Sequence, residues 1–481
     1  MLFNSIEFAA FLPIVFAIYW LLGKRLRLQN AFVVMASYVF DGWWDWRFLL
    51  LIAFTSLCSY ASGLMIERSK HLMFKIGQWT FGAKFWMVAN IVINLGILAT
   101  FKYYDFFVSE FGALFGMNTE NLLLRFILPV GISFYTFQAL SYSIDVYRGN
   151  IKPTRDIVAF FAFISFFPQL VAGPIERATN LLPQFLQKRT FSYEQGVDGM
   201  RQILWGLFKK IVFADNCAMY VDQVWATYDT QSGSTLLFAA VLFTFQIYGD
   251  FSGYSDIAIG TAKLFGIKLM RNFNNPYFSR DIAEFWRRWH ISLTTWFRDY
   301  VYIPLGGSRV GKWKIVRNTF VIFLLSGFWH GANWTFIAWG AYHAILFLPL
   351  ILLGMNRKYT NQVAEGRWLP NVKELGQILL TFLLAVVGWI MFRAETIGQA
   401  WEIMKGICDS SLLSIPNHVG ISALFLNLAL MIMVEWIQRN KQHSLDIANL
   451  PACCRYAIYY GLCFIIFACG GNTVNFIYFQ F

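Results

Sequence analysis

His330 is the residue whose type and setting most clearly point to chemistry. It stands within residues 326–334, which read SGFWHGANW, in a stretch from about 320 to 350 that is otherwise apolar. An ionisable side chain at bilayer depth is costly and by default marks a functional site. Histidine is also the side chain best suited to move a proton near neutral pH. From the residues alone, a structural histidine that hydrogen-bonds a neighbouring helix explains the position equally well.

General-base chemistry suits this histidine better than covalent or metal chemistry. The sequence contains no HExxH, no GxSxG and no GxxxxGK[ST] motif. His343 follows His330 by 13 residues, which places the two about 140° apart around a straight helix, a poor geometry for one metal. We therefore expect no metal site. A buried base can take the proton of an acceptor hydroxyl while that hydroxyl attacks a thioester. The exclusion of water protects the thioester from hydrolysis.

Three further segments carry polar residues within apolar surroundings, at 129–148, 167–177 and 246–256. Proline and glycine in such segments leave backbone groups that protein or a water-filled cavity must satisfy. Asp250 and Asp256 need partners there, and the sequence offers three candidate cations: Arg280, Arg287 and Arg288. The alternative is that these polar pairs simply hold helices together.

Residues 280–299 repeat apolar side chains at helical spacing. The apolar positions are Ile282, Phe285, Trp286, Trp289, Leu293, Trp296 and Phe297, and the polar positions outside their arc are Arg280, Glu284, Arg287, Arg288, Thr295 and Arg298. This pattern predicts one amphipathic helix at a membrane interface or lining a polar entrance. His290 falls at the edge of the apolar arc, where it can face a cavity. An interfacial helix without chemistry remains the alternative.

Composition sets the class of protein that must position these residues. Of 481 residues, 57% are hydrophobic and 14% charged, whereas soluble domains carry about 25% charged residues. The apolar segments predict an all-α integral membrane protein with roughly 10–12 crossings, since a span needs about 20 apolar residues. We expect one membrane-embedded domain over 1–481. The seven cysteines, mostly in apolar runs, are predicted to be buried small hydrophobes.

The net charge of +12 is explained by membrane topology rather than by nucleic acid. Basic residues follow the first and third apolar segments, at 24–27 and 68–75, and such loops mark the cytoplasmic side. A basic cytoplasmic face also suits an anionic substrate such as an acyl-coenzyme A.

Several long motifs, in this order, resemble the membrane-bound O-acyltransferases, and most closely the bacterial branch that includes the membrane protein of alginate O-acetylation. The motifs occupy residues 129–134, Ala172-Gly173-Pro174, 250–256, 284–293 and 329–333. The resemblance implies a tunnel through the membrane surrounded by many helices, with re-entrant and amphipathic segments. It implies that His330 is catalytic and that His290 matches a second characteristic polar position. Further substrate-binding or tunnel-lining candidates are Gln138, Asp250, Ser252, Asp256, Arg287, Arg288, Trp329 and Asn333.

The resulting hypothesis is an O-acetyltransferase of the bacterial cytoplasmic membrane that serves a cell-envelope or secreted polysaccharide. Acetyl-coenzyme A would be a substrate, with no permanently bound cofactor. No soluble module that could handle a polymer is evident, so we expect an outer-face or periplasmic acyltransferase partner and an indirect polysaccharide acceptor. The alternative is a transporter or flippase for a lipid-linked glycan. Consumption of an acyl group separates the two.

Overall fold

The chain is built almost entirely of helices. The computed structural model describes residues 1–71, 74–76, 79–170, 173–417, 422–471, 474 and 476–477, so Ala172 of the second motif lies outside the described residues. The helices are α1 (Ile6–Leu21), α2 (Leu26–Gly42), α3 (Arg47–His71), α4 (Ala83–Leu98), α5 (Tyr104–Phe115), α6 (Ile132–Arg148), α7 (Ile157–Ser165), α8 (Phe167–Leu170), α9 (Ala178–Phe185), α10 (Tyr193–Leu207), α11 (Asp215–Ala226), α12 (Gly233–Leu264), α13 (Ile282–Arg288), α14 (Ile291–Phe297), α15 (Lys312–His330), α16 (Trp334–Leu352), α17 (Val372–Arg393), α18 (Ile397–Ile407), α19 (Ser422–Ile437) and α20 (Ala452–Cys469).

Short non-α elements connect some of these helices. Strands β1 (Phe74–Ile76) and β2 (Trp79–Phe81) form an antiparallel hairpin in which Phe74 pairs with Phe81. Wider π-helical turns join α4 to α5 at Ala99–Tyr103 and α10 to α11 at Phe208–Ala214. The second of these turns carries two lysines that matter for the site below.

Six helices are long and apolar enough to cross a membrane, as judged over the described residues. They are Arg47–Lys70, Ala83–Phe115, Gly233–Leu264, Trp334–Leu352, Val372–Arg393 and Ala452–Cys469, and three shorter apolar helices accompany them at Ile6–Leu21, Ile157–Leu170 and Ala423–Ile437. The chain is therefore an all-α, multi-pass membrane protein, as the composition predicted. Several apolar segments form helices shorter than the span of about 20 residues, so the estimate of 10–12 crossings and the tunnel stay predictions.

The helices group into two compact units. Unit 1 contains Met1–Met200 and Ala258–Met270, and unit 2 contains Arg201–Ile257 and Arg271–Phe481. Within unit 1, α1 is tied to the end of α12 because Tyr19 donates its hydroxyl to the Phe265 carbonyl at 2.7 Å. The expectation of one domain over 1–481 stays a prediction.

Helices α15 and α16 of unit 2 form a tight hairpin because glycines face the partner backbone. A Cβ at Gly327 would lie 2.2 Å from the Phe336 carbonyl oxygen, and one at Gly340 would lie 2.4 Å from that of Phe323. Small residues at these two positions let the backbones approach, as they do in many membrane helix pairs. This hairpin carries His330 at its turn.

The single amphipathic helix predicted for 280–299 is wrong. The chain breaks between α13 and α14 at His290, whose φ of 43° is left-handed. The segment around Asn272 takes over the main-chain bonds that a continuous helix would use. The Ile291 amide donates to the Asn272 carbonyl at 2.9 Å, and the Asn274 amide donates to the Arg288 carbonyl at 3.0 Å. Hydrophobic spacing cannot reveal this competition, since it comes from residues earlier in the chain.

The polar face of this segment is also largely buried rather than interfacial. Glu284 lies between two guanidinium groups, at 3.0 Å from Arg280 and 2.8 Å from Arg288, and all three side chains are buried. A buried charge persists only when it is paired and hydrogen-bonded. The arginines are therefore internal cross-links of unit 2.

The prediction that the cysteines are buried within the protein holds only for Cys217. Cys58 and Cys469 are half-buried, and Cys408, Cys453, Cys454 and Cys463 are exposed. Three of the exposed cysteines lie on α20, an apolar helix of which only 6% is buried inside the protein. An apolar run does not show whether protein or lipid surrounds it, which is why the sequence misled.

Candidate functional site

The local fold places His330 at the last position of α15, where it is only 4% exposed. Gly331 is extended, and Asn333 then caps α16 by accepting a hydrogen bond from the Thr335 amide at 3.0 Å. The side-chain amide of Asn333 also donates to the Glu395 carbonyl at 2.9 Å. Asn333 therefore fixes the turn that follows the histidine.

Three histidines and two tryptophans of unit 2 form what we call the histidine row. Trp329 contacts both His290 and His330, with ring centroids 5.8 Å and 4.9 Å apart. Trp339 likewise contacts His330 at 5.2 Å and His343 at 5.0 Å. The fold thus brings together the two predicted catalytic histidines and Trp329, although 40 residues separate His290 from His330.

Aromatic rings enclose this row, and its three histidines are buried. Phe392 packs against His330 at 5.2 Å, and Phe251 packs against His290 at 4.7 Å. Trp389 contacts Trp339 at 5.9 Å and Phe392 at 5.3 Å. An imidazole in such surroundings interacts strongly with any charge that develops beside it, because the local dielectric constant is low.

His290 is held with its ring nitrogens unused. Within the described part of the chain, neither nitrogen of this fully buried ring has a hydrogen-bond partner. Its left-handed backbone is uncommon for a residue with a side chain and is often found at functional sites. Burial lowers the pKa of His290 to about 3, so the ring is neutral at physiological pH. An imidazole with so low a pKa is a weak base, so His290 is better suited to hydrogen bonding with a substrate than to proton abstraction.

The ring of His343 occupies space that the absence of a side chain at Gly388 leaves open. A Cβ at Gly388 of α17 would lie 2.7 Å from its Nε2 atom, so glycine is required for the ring to fit. Neither ring nitrogen has a hydrogen-bond partner among the described residues. His343 therefore joins the row, a position that its spacing of 13 residues from His330 did not predict.

The partners of Asp250 and Asp256 are lysines, and the expectation that arginines pair with them is wrong. Lys209 lies 2.6 Å from Asp256, and Lys210 lies 2.7 Å from both Asp250 and Asp215. Both lysines come from the π-helical turn between α10 and α11. Spacing along one segment could not identify them, but two adjacent lysines in the apolar run FKKIVFA were a usable signal.

These lysines extend into a buried polar network. Lys209 donates to the Ser252 hydroxyl at 2.8 Å, and Tyr248 donates to Glu435 at 2.9 Å. Lys210, Asp215 and Asp250 line a small pocket together with three other polar or charged residues and four apolar ones. Lys209, Lys210, Asp215 and Glu435 are thus members of the polar interior that the sequence alone did not single out.

Two of the remaining candidates, Arg287 and Arg288, hold a loop of unit 2, and the third, Gln138, lies in unit 1. Arg287 donates to the Tyr359 carbonyl at 2.6 Å, and Arg288 donates to Gln362 at 2.7 Å, so both hold the loop between α16 and α17. Gln138 belongs to unit 1, where it is buried on α6. Its amide oxygen and nitrogen have no hydrogen-bond partner in the described chain. Whether any of these side chains touches substrate stays a prediction, as does the expected lack of a metal.

Comparison with known proteins gives a consistent match. The family model of the membrane-bound O-acyltransferase family matches residues 152–363, a range that includes His290 and His330. A probable alginate O-acetylase of Pseudomonas aeruginosa is 40% identical over 442 residues, which cover 90% of this chain and 81% of that protein. The peptidoglycan O-acetyltransferase of Helicobacter pylori is 34% identical, covering 89% and 83%. The teichoic acid D-alanyltransferase of Bacillus subtilis is 29% identical, covering 55% and 69%.

Proposed function

The chain belongs to the membrane-bound O-acyltransferase family and is an O-acyltransferase, and we propose that it moves an acetyl group from acetyl-coenzyme A across the bacterial inner membrane. The acetyl group serves the O-acetylation of a cell-envelope or secreted polysaccharide. An outer-face or periplasmic acyltransferase completes the transfer to the polymer.

The relatives support acetyl as the acyl group. Those that match nine-tenths of this chain are named for O-acetylation of alginate or peptidoglycan. The D-alanyltransferase matches just over half of the chain. The two named acceptors differ, which is consistent with an acceptor chosen by a partner protein rather than by the membrane component.

The histidine row supports a direct transfer with His330 as the base. A ring nitrogen of His330 takes the proton of the accepting hydroxyl as its oxygen bonds to the thioester carbonyl carbon. The carbon–sulfur bond then breaks, and the proton passes to the leaving thiolate, so the ring returns to its neutral form. His290 donates or accepts a hydrogen bond that orients the thioester or the acceptor.

The observation that carries the proposal is the contact of both His290 and His330 with one buried indole, Trp329. Two imidazoles in a water-poor aromatic setting can act on one reacting group while bulk water, which would hydrolyse the thioester, is excluded. The buried aromatic contacts give this pair a fixed geometry.

The test uses purified protein in liposomes with radiolabelled acetyl-coenzyme A. Loss of a general base typically reduces the rate by 10²–10⁴-fold, and we expect His330→Ala to lower the release of free coenzyme A by about this factor. His290→Ala should also reduce the rate.

His443→Gln is the matched control, since it removes a buried histidine that takes no part in the row. It should retain nearly wild-type turnover. Wild-type turnover by a folded His330→Ala protein would contradict the role of the base. No turnover by the wild type, even with acceptors and partner proteins added, would favour another donor or the transporter alternative.

A further inference from the structure

A loop at the start of α15 forms a strongly basic surface, which we call the basic patch. Residues 303–317 contain Arg309, Lys312, Lys314 and Arg317 and no acidic residue. Asp299, the nearest acid before this loop in sequence, is already paired with Arg298 at 2.6 Å. The positive charge of the loop is therefore not neutralised by its own segment.

Three of these cations are free to bind an anion. Arg309, Lys312 and Lys314 are exposed, and no ion pair to them is present in the part of the chain that the structure describes. Trp313 lies between the two lysines and is 86% exposed. A large exposed indole beside three cations without an ion-pair partner among the described residues suits recognition of a ligand that is both flat and anionic.

The loop that displays these side chains is held in a defined shape. The buried Asn318 donates to the carbonyls of Leu305 and Gly307, each at 3.1 Å, and Arg317 donates to the Leu305 carbonyl at 3.3 Å. Gly306 and Gly307 have φ values of 101° and 57°, which favour glycine. The patch is thus organised before any ligand arrives, which reduces the entropic cost of binding.

Helix α15 connects the basic patch directly to the catalytic candidate. It begins at Lys312 and ends at His330, and a rise of 1.5 Å per residue places the two ends about 27 Å apart. Coenzyme A has a matching polarity, with an anionic adenine nucleotide at one end and a thioester on a long, flexible arm at the other. Basic loops lie on the cytoplasmic side of membranes, where acetyl-coenzyme A is made.

We propose that the basic patch binds the adenine nucleotide of the acyl donor, with Arg309, Lys312 and Lys314 contacting its phosphates and Trp313 stacking on its adenine. The assignment rests on the proposed function, because it names a second contact of the same donor. Arginine and lysine pair strongly with phosphate, and stacking of a base on an aromatic side chain tolerates any base. Helix α15 then spans the distance between nucleotide recognition and chemistry.

The test is the double variant Lys312→Glu/Lys314→Glu, assayed with acetyl-coenzyme A and with acetyl-pantetheine, which lacks the nucleotide. We expect KM for acetyl-coenzyme A to rise at least about tenfold, while kcat and the KM for acetyl-pantetheine stay near wild type. The matched control is Lys373→Glu/Lys405→Glu, which makes the same change in charge at exposed lysines of the same unit and should behave as wild type.

Three outcomes would overturn the assignment. An equal rise of KM for both thioesters would show a distorted fold rather than lost nucleotide contacts. If the KM of the lysine variant for acetyl-coenzyme A rises in vesicles containing phosphatidylglycerol but not in vesicles of pure phosphatidylcholine, the patch binds lipid headgroups instead. An unchanged KM for acetyl-coenzyme A would remove the patch from donor binding altogether.

A binding measurement separates this inference from the proposed function. Radiolabelled coenzyme A without an acyl group should bind the wild type and the His330→Ala protein equally and the Lys312→Glu/Lys314→Glu protein at least about tenfold more weakly. Binding without turnover would contradict the proposed function and retain the patch. Turnover by the wild type, together with equal binding of coenzyme A by the wild type and the Lys312→Glu/Lys314→Glu protein, would retain the proposed function and contradict the patch.

Discussion

At the residue scale, two neighbouring lysines determine how the polar interior of unit 2 is neutralised. Lys209 is assigned to Asp256, and Lys210 is shared by Asp215 and Asp250. Removing one partner of a buried pair leaves an uncompensated charge, which typically costs about 3–5 kcal/mol. The π-helical turn matters because it sets the directions in which two adjacent side chains leave the backbone. These pairs cross-link α12 to the turn before α11.

For the carboxylate of Glu176 in unit 1, the effect of burial on the pKa outweighs that of its hydrogen bonds. Its carboxylate accepts hydrogen bonds from the Asn180 side chain, at 2.6 Å, and from the Met270 amide. Burial outweighs both bonds and raises the pKa of Glu176 from 4.5 to about 7. The folded protein therefore holds a proton that the unfolded chain has already released between these two pH values.

We expect the stability of the wild type to fall as pH rises from about 4.5 to 7, because folding then requires the uptake of a proton by Glu176. The Glu176→Gln protein should lose this part of the pH dependence, since its amide stays neutral. The contribution is on the order of 3 kcal/mol at most. Thermal unfolding in detergent at a series of pH values measures it. Parallel pH profiles for the two proteins would contradict the shift.

At the element scale, the α15–α16 hairpin links backbone packing to the position of the catalytic candidate His330. The two helices touch through Gly327 and Gly340, where the nearest atoms are carbonyl oxygens of the opposite backbone. A backbone atom cannot rotate away as a side chain can, so an added methyl group must push the helices apart. His330 is one turn beyond Gly327 and moves with the hairpin.

Gly327→Ala should therefore reduce turnover at least about tenfold and destabilise the protein by about 1–3 kcal/mol, the usual cost of overpacking. Gly376→Ala is the matched control, because no atom beyond the adjacent backbone of α17 lies within 4 Å of the Cβ that it would introduce. Alanine is the better helix former by about 1 kcal/mol, so the control should be as stable as the wild type or slightly more so. Turnover and thermal unfolding distinguish the two variants.

At the scale of the whole molecule, the surface of the protein is adapted to lipid rather than to water. Helix α20 is apolar over 18 residues, yet only 6% of it is buried inside the protein. Tyr460, Phe464 and Phe467 are exposed along it. Such a helix is stable only if the hydrocarbon core of a bilayer covers these side chains.

Cysteine labelling tests this placement in variants that keep a single cysteine. We expect Cys453, at the start of α20, to react with a maleimide in intact liposomes. Cys463 should react only after SDS is added, because the thiolate that attacks maleimide does not form in hydrocarbon. Cys217, buried by protein, should likewise need SDS. Equal rates for Cys453 and Cys463 in intact liposomes would show that α20 faces water.

Much of the site was predictable because its signals are local. His330 stands out as an ionisable residue in an apolar run, and the apolar segments indicate a multi-pass membrane protein whatever their packing. His290 and Trp329 also stand out in the sequence, through their motifs, and the structure places both rings in contact next to His330. These features depend on residue types within a few helical turns, which the sequence displays directly.

By itself, the sequence determined the class of protein, its family motifs and the identity of the catalytic candidates. The tertiary structure decided which lysines neutralise Asp250 and Asp256, where the helix breaks at His290, and that His343 joins the row through the space left by Gly388. It also decided which cysteines are buried by protein and which are exposed. The physical reason is the same in each case: the deciding contact comes from a residue far away in the chain. Local hydrophobic periodicity carries no information about such a partner.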